Sequence, residues 1–141
     1  MDKQELFARI QERAQSPEWL FHGGMGLRIT KVEEGYVEGE VTLEHRHKNP
    51  PGTVHGSLYL AMADTLGGST AVTGGSMVTT VSSHMNFLSA PTDKAVKVIG
   101  KSRRVKDGRT IVVCEINVSD DTGRLLATAL YEYMKLHEYT E

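Results

Sequence analysis

Between Lys3 and Ala14 the apolar residues Leu6, Phe7 and Ile10 recur at helical spacing, and Ser16-Pro17 follows as a stop, which predicts a short amphipathic N-terminal helix. From Leu27 the period changes. Leu27-Arg28-Ile29-Thr30-Lys31-Val32 alternates apolar with polar, Glu34-Gly35 supplies a turn, and Tyr36, Val37, Val41 and Leu43 continue in β-forming residues. Two strands joined as a hairpin are expected there. Residues 44–53 then carry His45, His47, Asn49, Pro50, Pro51 and Gly52, a composition that favours a loop.

The stretch from His55 to Thr73 differs from everything around it. Leu58, Tyr59, Leu60, Ala61, Met62, Ala63 and Leu66 leave almost no polar face, and a helix apolar nearly all round is normally buried. A central helix is predicted, weakened by Gly67 and Gly68 and broken by Gly74 and Gly75. Met77 to Leu88 resumes as a β-rich run, followed by strands over Ala95–Val105, Thr110–Val118 and Leu125–Leu136. Asp107-Gly108 and Asp120-Asp121-Thr122-Gly123 are hairpin turns by composition. Helix, two strands, buried helix and four strands in antiparallel sequence give an α+β class, a single sheet wrapped around the helix.

Composition narrows the function. With 141 residues the chain fits a single domain, 1–141. Sixteen Lys and Arg against eighteen Asp and Glu leave a formal charge of -2, so no general cationic field exists to collect nucleic acid or an anionic membrane. The lone Cys114 excludes an intrachain disulfide framework and a multi-cysteine metal knuckle. The N-terminus lacks the apolar region of a signal peptide, and the longest apolar run, Leu58–Ala63, is far short of the ~20 residues that span a bilayer. A cytoplasmic protein with no membrane or nucleic-acid partner is the expectation.

A set of motifs then stands out: Asn49-Pro-Pro-Gly-Thr-Val-His55-Gly56-Ser57, Ala63-Asp64 with Gly68, Val78-Thr79-Thr80, Asn86-Phe87-Leu88-Ser89-Ala90-Pro91, and Asp107-Gly108-Arg109. Together they resemble the hotdog-fold acyl-CoA thioesterases, in the branch typified by the phenylacetate-pathway (PaaI-like) enzyme, over a core of about residues 26–136. The resemblance implies a hotdog fold, an antiparallel sheet wrapped around a long central helix, with a short N-terminal helix. It also implies hydrolysis of a small or aromatic acyl-CoA, with coenzyme A as part of the substrate and no separate cofactor.

Thioester hydrolysis needs a polarised carbonyl and either a carboxylate nucleophile or a base for water. Gly56 sits where loop becomes helix, so its free backbone N–H, reinforced by the helix dipole, can point at a developing oxyanion, although glycine there also simply permits a turn. Asp64 is a carboxylate in an apolar helix, which persists when paired, exposed to a cavity or functional. By resemblance Asp64 is the nucleophile or general base and the Gly56 N–H binds the thioester oxygen. The same source places Asn49, His55 and Thr80 in the site; their residue types alone fit a turn, a cap and a strand equally well. Ser57 stands where relatives commonly have a second glycine, and its side chain can cap the helix or narrow the acyl pocket.

Arg103, Arg104 and Lys106, within the densest basic stretch, could meet coenzyme A phosphates, but strand alternation splits them between two faces, and a solvated face is an equal reading. The histidines lack a carboxylate or cysteine to complete a metal site, and Cys114 reads as a core thiol. Gly56 and Asp64, eight residues apart, lie roughly 12 Å apart along one helix at ~1.5 Å per residue. A short aspartate cannot reach across that distance to a carbonyl held within ~3 Å of the Gly56 N–H. A homodimer or homotetramer with sites shared between subunits is therefore expected, antiparallel central helices meeting about a two-fold axis. The rival reading is a non-catalytic acyl-CoA-binding or sensing protein on the same fold, and a same-fold hydratase is third.

Overall fold

The computed structural model describes residues 1–140. Helix α1 spans Lys3–Gln15, capped by Asp2, whose side chain accepts from the Glu5 N–H at 2.8 Å, and it buries Leu6, Ile10 and Ala14. A short helix α2, Leu20–Met25, follows, unmarked in the sequence because six residues are too few for a period to show. Strands β1, Arg28–Glu33, and β2, Tyr36–Thr42, form the expected hairpin. The polar segment after them holds one 3₁₀ turn, His45–His47. The central helix α3, Gly56–Val72, leads into β3, Ser76–Phe87, then β4, Lys97–Asp107, β5, Ile111–Asp120, and β6, Leu125–Glu138.

All six strands form one antiparallel sheet in the order β1-β2-β4-β5-β6-β3. The sheet wraps α3, and the core lies between them. Along β5 burial alternates residue by residue, so Val112, Cys114, Ile116 and Val118 face inward and are fully buried. Met62 and Leu66 of α3 are 0% exposed in the same cluster. Truncating either to alanine costs about 2–5 kcal/mol by transfer and cavity terms. Gly67 is dictated by close approach: a Cβ there would overlap the Tyr133 hydroxyl and lie 3.1 Å from Ile116 Cδ1.

Two features depart from the simple pattern. First, β3 does not pair with β4, its successor, but lies beside β6 at the far end of the sheet. The connection, residues 88–96, crosses the ends of β6 and β5 on its way to β4. It is fastened there by side chain and backbone: Ser89 Oγ donates to Leu125 O at 2.7 Å, Arg124 Nη1 to Ala90 O at 3.0 Å, and the Thr92 N–H to Asp120 Oδ2 at 2.9 Å. Second, α3 is not buried all round. Leu60 is 37% exposed and Asp64 is exposed too, four residues on, along one stripe of the helix.

Candidate active site

Asp64 sits in the middle of α3, and its Oδ1 accepts a 2.6 Å hydrogen bond from Thr80 Oγ1 on β3. The bond is charge-assisted and ties the helix to the terminal strand of the sheet. Beneath it lies Tyr133 of β6, 1% exposed, whose hydroxyl donates to the backbone carbonyl of Asp64 at 3.0 Å. Burial, and then the Asp64 charge, push the Tyr133 phenol well above its ordinary range, so it remains a neutral donor. An otherwise uninterrupted helix thereby gains a side-chain partner for a carbonyl next to the carboxylate.

Asp64 and Thr80 line a cleft of about 330 Å³ whose walls are mostly apolar, with Ile10, Val72 and Val78 among them and Trp19 at the edge. The volume is at the lower end of small-molecule sites, ~300–1,000 Å³. Within reach of the carboxylate there is thus an apolar body of space and one hydroxyl that fixes the acid's orientation.

The first turn of α3 serves a different cleft. His55 is the N-cap, its Nδ1 accepting from the Ser57 N–H at 3.0 Å, so the cap that Ser57 could have supplied comes from the histidine. His55 and Ser57 line a second cleft of about 460 Å³ with Arg46 and Lys48. Among the described residues the Gly56 N–H has no acceptor, which leaves a donor at the positive end of a seventeen-residue helix. Phe87 packs over this glycine: a Cβ would lie 3.0 Å from Phe87 Cε1. The structure thus brings Asp64 and Thr80 together and holds Gly56, His55 and Ser57 apart from them on the same chain.

Asn49 closes a turn, its backbone carbonyl accepting from the Gly52 N–H at 2.9 Å and its side-chain oxygen from Thr53 Oγ1 at 2.8 Å. The basic stretch divides as alternation requires. Arg103 forms a paired contact with Glu115, at 3.2 and 3.3 Å. Arg104 turns inward beside Gly74, 3.9 Å from Asp107, and the exposed Lys106 has no ion pair among the described residues. None of the three lines either cleft. Cys114 is core: its thiol, pushed up to about 12 chiefly by burial, contacts Gly67 O at 3.5 Å. No group of three or more His, Cys, Asp or Glu is placed to hold a metal among the described residues.

Three neighbours of Asp64 escaped the sequence reading. Tyr133 lies on the inward face that β6 alternation predicts, but its register against α3 is a tertiary fact. Arg13 and Trp19 reach the cleft from the N-terminal segment, and no local pattern marks either.

Comparison with known proteins places this arrangement. The sequence model of the Thioesterase superfamily matches residues 51–127, more than half of the chain. The chain belongs to the thioesterase superfamily. It is accordingly a hydrolase of thioester bonds. It is 32% identical over 107 residues to the proofreading thioesterase EntH of Klebsiella pneumoniae, covering 74% of this chain and 77% of that protein. Among solved structures, the PaaI protein of the E. coli phenylacetic acid degradation operon superposes with a TM-score of 0.83 at 15% identity, covering 94% of this thioesterase and 97% of that chain. A Streptococcus pneumoniae thioesterase solved with coenzyme A gives a TM-score of 0.77 at 20% identity, over 97% and 99% of the two chains. The fold is the hotdog fold.

Proposed function

We propose that this thioesterase hydrolyses small or aromatic acyl-CoA thioesters to the free acid and coenzyme A, at a site built from two copies of the chain. The observation that carries the proposal is the Asp64–Thr80 pair at the wall of an apolar cleft. In this reading the Gly56 N–H of one subunit holds the carbonyl oxygen, and Asp64 of the other, in an adjoining cleft, acts on the carbonyl carbon. As general base Asp64 takes a proton from water as its oxygen attacks, and returns it to the coenzyme A thiolate when the tetrahedral intermediate collapses. As nucleophile it attacks the carbonyl carbon and expels coenzyme A as the thiolate, and water then cleaves the resulting mixed anhydride to the free acid and the regenerated Asp64 carboxylate. Single turnover in ¹⁸O-water separates the two, because only the anhydride route can leave the label in Asp64.

Assembly is supported by what one chain leaves uncovered. Leu60 and Asp64 form the exposed stripe of α3, and β3 exposes Val81 at 47% and Phe87 at 54% beside it. Pairing two β3 edges about a two-fold axis would set the central helices side by side. The outer sheet face, with Leu130 48% and Met134 38% exposed, offers a second contact for a homotetramer. His55 and Asn49 shape the loop that presents Gly56, Ser57 lines the cleft beside it, and Lys106 is the member of the basic stretch free to meet a phosphate.

The test is thiol release over a panel of acyl-CoAs with wild type and Asp64→Asn side by side. The near-isosteric amide is expected to fold and to lose turnover by a factor of about 100 or more, the scale of a positioned acid or base. Retained turnover removes Asp64 from the mechanism, and binding without turnover in the wild type, over the whole panel, identifies the protein as a binder.

A further inference from the structure

The cleft that holds Asp64 also holds a cation. Arg13, in the last turn of α1, lines it together with Trp19 and Tyr139. Among the described residues its side chain has no hydrogen bond or ion pair, although Glu12 and Glu18 line an adjoining cleft that Arg13 also borders. Asp64 and Arg13 therefore face one small cleft without meeting, and Ile10, Ala14 and Val72 supply apolar wall. A guest that satisfies all of this has an electrophilic end at Asp64, an apolar middle and an anionic end at Arg13. The guanidinium is weakly hydrated, always charged and forked, so it suits a carboxylate better than a hydroxyl.

We infer that Arg13 is a specificity-determining residue that receives the distal carboxylate of the acyl group, making the preferred substrates coenzyme A thioesters of dicarboxylic acids. This rests on the reading above that the acyl group occupies the Asp64 cleft. A bland role is also available to Arg13, since a cation in the last turn of a helix favours its dipole. That role predicts equal effects on all substrates, which makes the two separable.

The experiment compares adipyl-CoA, 6-hydroxyhexanoyl-CoA and hexanoyl-CoA as substrates of wild type, Arg13→Gln and Arg13→Lys. Wild type is expected to prefer adipyl-CoA in kcat/KM. Arg13→Gln should lower kcat/KM for adipyl-CoA by about 10-fold more than for hexanoyl-CoA, and Arg13→Lys should recover part of the difference, the scale of a hydrogen bond to a charged group. Where turnover is measurable, no adipyl preference, a preference for the hydroxyl-terminated chain, or equal losses on all three overturns the inference. Calorimetry on Asp64→Asn, with and without Arg13→Gln, reads the same discrimination as binding. Wild type inert toward all three, combined with tighter adipyl-CoA binding that vanishes with Arg13→Gln, sinks the hydrolase reading for these substrates and keeps the Arg13 assignment. Equal binding of adipyl-CoA and hexanoyl-CoA sinks the assignment whatever the turnover.

Discussion

The two edges of the sheet are treated in opposite ways. At one edge β1 is six residues long and bulged, and α1 lies along it. Gln11 Nε2 donates to the Ile29 carbonyl at 2.8 Å while the Ile29 N–H donates to Gln15 Oε1 at 2.9 Å, so side chains occupy backbone groups that would otherwise invite another strand. At the other edge β3 runs for twelve residues with no described element on its outer side. A long bare edge is a liability in a monomer and an interface in an oligomer. Thr80, the partner of Asp64, belongs to that bare strand. One edge is thus sealed within the chain, while the other carries part of the candidate chemistry at an open border.

The largest effect should come from spoiling the bare edge. Val81 falls at the register shift between Thr80 and Ser82, where it lacks a partner on β6, so Val81→Pro removes an N–H with little damage to the β3–β6 ladder. Light scattering should report monomers with native far-UV circular dichroism, and thioester turnover should fall about 100-fold or more, as for loss of a catalytic group. Full activity in a proven monomer would break the link between that edge and the chemistry.

Next in size is rescue by mixing. Asp64→Asn and a variant altered at both Asn49 and His55 should each be inactive, and their heterodimers should regain up to about half the activity of wild type through one intact composite site. Verified heterodimers that stay dead, with both variants folded, would show that Gly56 or Asp64 has been given the wrong role.

The bare strand is anchored to the sheet beyond its end by Asp120. Burial acts to raise this carboxyl, but N–H groups of Thr92, Thr122 and Arg124 and the Thr122 hydroxyl outweigh it and hold its pKa at about 2. A pKa lower in the folded than in the unfolded chain adds stability above about pH 4 that fades as pH falls toward 2. The amount is on the order of 2 kcal/mol. Urea melts at pH 6 and pH 3 should therefore differ more for wild type than for Asp120→Asn, and equal pH dependence would refute the anchor.

Unsealing the covered edge is the mildest test. Gln11→Ala and Gln15→Ala should each lose about 1 kcal/mol, the usual worth of a hydrogen bond, and the double variant should form larger assemblies than wild type. Turnover should survive, because neither glutamine lines the Asp64 cleft. A drop in activity equal to that of Val81→Pro would erase the distinction between the edges.

The contrast also marks where sequence reading stops. Helix α1, the first hairpin, α3 and the β4–β5 and β5–β6 turns were legible because each rests on a local period or a local turn composition. The position of β3 was not, since its partner comes from the end of the chain and the crossing segment shows no period. Asp64 was legible as an odd acid in an apolar helix, yet its exposure, its bond to Thr80 and the support from Tyr133 depend on how α3 meets β3 and β6. His55 reads as a cap or a site residue by type alone, and the structure shows the cap. The stretch with Lys101, Arg103, Arg104 and Lys106 is the densest basic one in the sequence, whereas the cation that shares a cleft with Asp64 is Arg13, isolated in sequence and brought there by packing.

The contact of Gly67 with Tyr133 bears on heredity as much as on stability. A methyl group at position 67 has no room while a phenol stands at 133, and a phenylalanine at 133 would remove the worst overlap but deprive the carbonyl of Asp64 of its side-chain donor. Neither change is open alone without harm to the acid's footing. In a diverging lineage the two codons should move together, in one order: loss of the hydroxyl first, gain of a side chain on the helix second.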